Sequence, residues 1–172
     1  MAAEGRESRA SVVVHIRDIN DNPPEFSEGR YNVTIREDIK PGETVARIQA
    51  LDRDSGLFGT EGIQYTSVTG PVSKALVLNP LTGLITMGAG DSVFDRERAD
   101  SHYLTVEARD ERGRGNRNTV ELIITVEDVN DNAPTFWRDQ YESFLLENTD
   151  SFQSPLVIQA EDRDENGERG VR

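Results

Sequence analysis

The acidic and amide side chains of this sequence fall in short, ordered groups. Asp18-Ile19-Asn20-Asp21-Asn22-Pro23-Pro24 is one, and Asp128-Val129-Asn130-Asp131-Asn132-Ala133-Pro134 is another. Asp52-Arg53-Asp54, Asp95-Arg96-Glu97 and Asp162-Arg163-Asp164 are shorter ones, with Glu37 and Asp110 standing alone at strand ends. These groups offer hard oxygen donors, and carboxylates gathered together repel one another unless a cation intervenes. Calcium takes about six to eight oxygens from carboxylates, carbonyls and water in flexible geometry. Asp-Asn-rich segments supply such oxygens, and Pro24 and Pro134 stiffen the exit from each.

Other chemistries fit less well. The run Asp162-Arg163-Asp164-Glu165-Asn166-Gly167 matches the opening of an EF-hand loop, but a strand-like segment precedes it where a helix is required. Paired carboxylates serve glycosidases, yet repeated copies in linkers do not describe one active site. His15 and His102 are isolated and read as surface or edge residues. No nucleophile elbow or phosphate loop is present. Trp137 follows an Asp-Asn string and reads as an ordinary packing residue. Asn32-Val33-Thr34 is an N-glycosylation sequon in a strand.

Composition narrows the field. A net charge of −13 argues against nucleic acid and against anionic lipid as partners. With 35% hydrophobic and 30% charged residues, the core is lean and the surface heavily charged. The chain holds no cysteine, so neither disulfides nor thiolate metal sites contribute. No stretch approaches the roughly 20 apolar residues that cross a bilayer. Met1 to Ala10 lacks the apolar run of a signal peptide, so any export signal or anchor is expected outside this chain.

The elements that must position these oxygens recur. An offset of 110 residues carries Asp18 onto Asp128, Tyr31 onto Tyr141, Glu37 onto Glu147, and Asp52-Arg53-Asp54 onto Asp162-Arg163-Asp164. Val12-Val13-Val14 falls on Leu122-Ile123-Ile124, and Ile48-Gln49-Ala50 on Ile158-Gln159-Ala160. One register without gaps marks a tandem array. Residues 1–22 are expected to end one repeat with its linker, 23–132 to form a complete repeat with its linker, and 133–172 to open a third that continues past Arg172. Within the complete repeat, alternation and turn signals mark strands at 31–35, 44–50, 63–68, 75–78, 84–87, 103–108 and 119–126. Short strands separated by turn residues predict an all-β, seven-stranded Greek-key sandwich of immunoglobulin-like architecture. Strand ends of a sandwich cluster at its poles, which is where the acidic groups lie.

The string Asp-x-Asn-Asp-Asn-x-Pro, then a strand-ending Glu, Asp-Arg-Asp, Asp-Arg-Glu and Ala-x-Asp, resembles the extracellular cadherin repeat. The resemblance covers the chain from about Ser11 onward, with five elements in the family's order. It implies Ca2+ as the cofactor, three ions at an intact junction. At the second junction it implies Glu37, Asp95 and Glu97 from the lower repeat. The linker adds the Val129 carbonyl, Asn130, Asp131 and the Asn132 carbonyl, and the upper repeat adds Asp162 and Asp164. At the first junction it implies Asn20, Asn22, Asp52, Asp54 and Asp110, with Asp21 short of most of its partners. Asp18 and Asp128 are expected to act indirectly, and the loop near Thr60 departs from the family's usual asparagine. About three ions are expected in this chain, two at the second junction and one at the first.

The family implies further expectations. Ions shared across a short linker would turn two repeats into one stiff unit. The parent would be a single-pass protein on the extracellular side of the plasma membrane. It would mediate calcium-dependent cell–cell adhesion through homophilic or heterophilic contacts with other cadherins. The repeats here are not expected to be the membrane-distal first one. The alternative is a calcium-stiffened spacer or tether holding a distant recognition domain. An enzyme would need a pocket of convergent titratable groups, and none is legible.

Overall fold

A computed structural model describes residues 9–90, 93–150, 152 and 156–164. Seven strands form the body of the molecule. Arg30–Arg36 (β2), Arg117–Glu127 (β9), Ser101–Arg109 (β8) and Gln64–Thr69 (β5) make a four-stranded sheet in the order β2-β9-β8-β5. Thr44–Arg47 (β3), Leu84–Met87 (β7) and Leu76–Leu78 (β6) make a three-stranded sheet in the order β3-β7-β6. All of these pair antiparallel except β2, which runs parallel to β9. No described residue lies in an α-helix, and none belongs to a helix long and apolar enough to cross a membrane.

Strand alternation explains the core. Inward positions of β9 are Val120, Leu122, Ile124 and Val126; those of β8 are Leu104, Val106 and Ala108. From the facing sheet come Val45, Ala46, Ile85 and Met87, with Ile48 just beyond β3. Side chains at every second residue share a face, so each sheet shows one apolar side and the two sides close on each other.

The strand expected over 44–50 is interrupted. It runs as β3, breaks at Ile48 and Gln49, and resumes as Ala50–Leu51 (β4), which pairs with Glu25–Phe26 (β1). The Ile48 amide donates to Gly83 O at 2.9 Å instead of to a neighbouring strand. Gly83 closes the turn begun by Asn79, whose Oδ1 accepts the amides of Leu81 (3.0 Å) and Thr82 (3.1 Å). Its φ of +65° and a Cβ that would stand 2.2 Å from Ile48 O leave room only for glycine.

The opening of the second copy folds like the first. Thr135–Phe136 (β10) pairs with Ala160–Glu161 (β11) as β1 pairs with β4, in the same antiparallel register. Tyr31 Oη donates to Gln49 O at 2.9 Å, and Tyr141 Oη donates to Gln159 O at 2.9 Å. By contrast, Val12, Val13 and Val14 are exposed and lie in no strand. Their equivalents in β9 pair with β2 and β8, and the sequence holds no counterparts of those strands at the same offset before Val12. The strand-like run from Pro155 is likewise a strand only at its end, Pro155 itself lying outside the described residues.

Candidate metal sites at the two linkers

At the first linker, Asp110 sits at the end of β8 with its side chain fully buried. The chain from 113 to 115 folds back over it, the amides of Gly113, Arg114 and Gly115 donating to Asp110 O at 2.9, 3.2 and 3.2 Å. Asp110 Oδ1 accepts Asn20 Nδ2 at 2.9 Å. Asn116 Nδ2 also reaches the linker, donating to Asn20 Oδ1 and to Asn22 O at 3.2 Å. Asp54 Oδ2 accepts the amides of Asp21 (3.1 Å) and Asn22 (3.0 Å), and Asn22 Nδ2 donates to Asp54 Oδ1. Asp52 Oδ1 accepts the Asp54 amide at 3.0 Å. Asn20, Asp21, Asn22, Asp52, Asp54, Asp110 and Asn116, from three separate stretches of sequence, are thus drawn to one pole.

Two oxygens there have no hydrogen-bond donor among the described residues: Asp52 Oδ2 and Asp110 Oδ2, both buried. An unsatisfied buried carboxylate oxygen is costly. Burial pushes the Asp52 carboxyl above the ordinary aspartate range; the Asp54 amide opposes this, and the charges of Asp54 and Asp110 add to it. For Asp54, burial pulls the same way, but the bonds from Asn22 and Asp21 outweigh it and hold the carboxyl below its ordinary range.

At the second linker, Glu37 ends β2 and is buried. Its Oε1 accepts the Val129 amide at 2.7 Å and its Oε2 the Arg96 amide at 3.0 Å, which tie the linker to the loop before β8. Asp164 accepts from Asn132 through both oxygens, and Asp162 Oδ1 accepts the Asp164 amide at 3.0 Å. Carboxylate oxygens of Glu37, Glu97 and Asp131 lie within 4.8 Å of one another, and so do those of Glu97, Asp128 and Asp164. Glu97 belongs to both groups. Burial raises its carboxyl above the ordinary glutamate range, and the Glu37 charge contributes. Asp131 is raised as well, through loss of surrounding water and then the charges of Glu37, Asp164, Asp128 and Asp95.

Other expected residues stand apart. Asp95 lines the same cavity of about 390 Å³ as Glu37, Glu97 and Asp131, but its Oδ1 accepts the Arg98 amide at 2.9 Å. Asn130 is exposed. Asp18 Oδ2 accepts Ser55 N and Ser55 Oγ at 2.6 and 2.9 Å. Asp128 is different: it accepts Arg96 Nε at 2.7 Å and also stands within the second carboxylate group. Thr60 clamps the strand end through its side chain, its Oγ1 accepting the Asp52 amide at 2.8 Å and donating to Asp52 O at 3.0 Å. Of the EF-hand-like run, residues 165–167 lie outside the described residues.

Three residues were not singled out by sequence reasoning. Arg96 joins Asp128 to Arg163 O (3.1 Å), 67 residues beyond itself, and its Nη2 lies 3.2 Å from Glu97 Oε1 without a hydrogen bond to that oxygen. A cation between two anions in Asp-Arg-Glu was the available signal. Asn116 and Gly115 carried only the weak signal of a polar, glycine-rich loop. Trp137, expected to pack, is 65% exposed beside Ile158 and Ala160. His102 is partly buried, its ring 5.3 Å from that of Phe94 at 71°.

The donor set suits a hard divalent cation. It is all oxygen, includes buried oxygens without donors, and clusters like charges that a cation would relieve.

Comparison with known proteins agrees. A family model described as "Cadherin domain" matches residues 31–127. Cadherin-86C of Drosophila melanogaster is 43% identical over 154 residues, covering 90% of this chain and 8% of its own. Protocadherin Fat 4 of Mus musculus is 36% identical over 162 residues, covering 94% and 3%. Among solved structures, mouse Cadherin-23 EC22-24 superimposes with a TM-score of 0.68 at 33% identity, over 87% of this chain and 46% of that one. The human Desmocollin-1 ectodomain gives 0.71 at 30% identity, over 88% and 28%. The chain spans less than a tenth of the length of Cadherin-86C and of Protocadherin Fat 4. Cadherin repeats are non-enzymatic, calcium-binding extracellular domains of cell-surface proteins. This chain, with its β-sandwich and its acidic linkers, belongs to the cadherin family.

Proposed function

We propose that this chain is a segment of a calcium-stiffened extracellular rod serving cell–cell adhesion. Repeats are divided at residues 22/23 and 132/133. The division is supported by the tyrosine–glutamine and strand pairings that recur 110 residues apart. Asn20, Asp21, Asn22, Asp52, Asp54 and Asp110 would hold calcium at the first linker. Glu37, Asp95, Glu97, Val129 O, Asn130, Asp131, Asn132 O, Asp162 and Asp164 would do so at the second. The ion supplies positive charge shared by both repeats. The protein's part is to bring oxygens from both sides of each linker within reach. The observation that carries this is Glu97, which places one carboxylate in two groups containing linker and upper-repeat oxygens.

The parent would be a single-pass protein of the plasma membrane, anchored by a segment outside this chain, with other cadherin molecules as partners. A spacer or tether role has one point in its favour. The relatives are so long that this chain covers 3–8% of Cadherin-86C and Fat 4, and long arrays suit a reach function.

Calcium titration by calorimetry, starting from chelator-treated protein, tests the reading. About three ions bound with dissociation constants of roughly 10⁻⁴ to 10⁻³ M and a raised melting temperature are expected. No binding below about 10 mM would overturn the ligand assignment.

A further inference from the structure

The sequon Asn32-Val33-Thr34 lies on β2, one of the two edge strands of the four-stranded sheet. Val33 turns inward; Asn32 and Thr34 are exposed on the outer face. No hydrogen bond engages the Asn32 side chain among the described residues. The parallel register sets Asn32 beside Ile123 of β9, and Ile123 lies opposite Tyr103 of β8. Asn32, Ile123 and Tyr103 therefore form one row across three strands. The rows on either side are polar: Thr34, Thr125 and Ser101 on one, Arg30, Glu121 and Thr105 on the other, with Arg30 and Glu121 ion-paired at 2.8 Å. Tyr103 is 60% exposed, and Ile123 is half-buried. An apolar pair thus stands in a polar face, next to the sequon.

We propose that Asn32 carries an N-linked glycan whose first sugars rest on Ile123 and Tyr103. The inference relies on the extracellular reading, because the modification belongs to the secretory route. The bond formed joins Nδ2 of Asn32 to C1 of an N-acetylglucosamine. The bond broken is that from C1 to the diphosphate of a lipid-linked oligosaccharide donor. The diphosphate leaves with the electron pair, and the amide gives up one proton. Three features fit the product. Neighbouring strands stand about 4.8 Å apart, so the row leads from the attachment point across the sheet in steps that a pair of sugars can cover. The C–H face of a pyranose is apolar, and an exposed tyrosine ring offers it a flat apolar surface with a polar tip. Asn32 is exposed on the outer face, so a glycan on its side chain disturbs none of the ladder bonds between β2 and β9.

The test is to produce the whole chain behind a secretion signal in a eukaryotic host and measure its intact mass before and after peptide N-glycosidase. A carbohydrate mass that the enzyme removes, with conversion of Asn32 to Asp, is expected. Asn32→Gln and Thr34→Ala should abolish it, and Thr34→Ser should keep it. Secreted protein without the added mass overturns the modification. The seating of the sugars is read separately, by the fall in melting temperature on enzymatic deglycosylation. A fall of a few degrees is expected in the natural chain and less than half of it in Tyr103→Ser, a surface change that leaves the core intact. Equal falls overturn the contact with Tyr103. Bacterially produced, sugar-free protein that still binds calcium would confine either failure to this inference.

Discussion

Asp164 holds Asn132 with both carboxylate oxygens, Oδ2 accepting the main-chain amide at 3.1 Å and Oδ1 the side-chain amide at 2.8 Å. Asp54 holds Asn22 in the same way 110 residues earlier. Each bracket ties an Asp-Asn string to the Asp-Arg-Asp group 32 residues further on. Replacing the aspartate by asparagine removes the charge but keeps the shape. Asp164→Asn should weaken calcium at the second linker tenfold or more and leave the first unchanged; Asp54→Asn should do the reverse. Calorimetry on the two variants separates the sites. A single variant that abolished all binding would contradict two independent junctions.

Glu97 offers a sharper test because its carboxyl is raised by burial and the charge of Glu37. Its charge is less well accommodated in the folded chain than in water, a cost that a bound cation would offset. Glu97→Gln should therefore melt no lower than the natural chain in chelator, yet gain much less on adding calcium. One ion at a hundred times its dissociation constant contributes about 2.7 kcal/mol, on the order of 10 °C for a domain of this size. Equal calcium-induced shifts in both proteins would remove Glu97 from the site.

Gly115 lies against Asp110 so closely that a Cβ would stand 1.7 Å from Oδ1 and 2.7 Å from Asn20 Nδ2. Gly115→Ala should displace the Asp110 carboxylate and cost about 1–3 kcal/mol by overpacking. Binding at the first linker should suffer and that at the second should not. Denaturant melts with and without calcium measure both effects.

His102 has its ionisation lowered by burial, opposed by the charge of Asp100. Its Nε2 is buried with no hydrogen-bond partner among the described residues. The unfolded chain therefore binds the proton more readily than the folded one. Stability contributed by the neutral ring is complete above the ordinary imidazole value of about 6.5 and is lost as pH falls below it. His102→Phe should flatten the melting curve between about pH 6.5 and 5. An unchanged slope would mean the ring titrates as if exposed.

The strands were legible because alternation is local: Leu122, Ile124 and Val126 bury while Thr125 and Glu127 do not, and that pattern needs no partner to be read. The 110-residue repeat, the acidic groups and their linker positions were equally plain, since identity at fixed spacing is a property of the string. From these followed the sandwich, the calcium chemistry and the family. Partner choice was not legible. Nothing in Tyr31-Asn32-Val33 says that β2 runs parallel to β9, or that Asn32 will lie beside Ile123. Nor does Asp-Arg-Glu say that Arg96 crosses to Arg163 O, or a glycine-rich loop that Asn116 closes on the linker. Periodicity reports which face a residue turns to water. Which other residue it meets depends on contacts between segments 67 to 96 positions apart, and those exist only when the chain has folded.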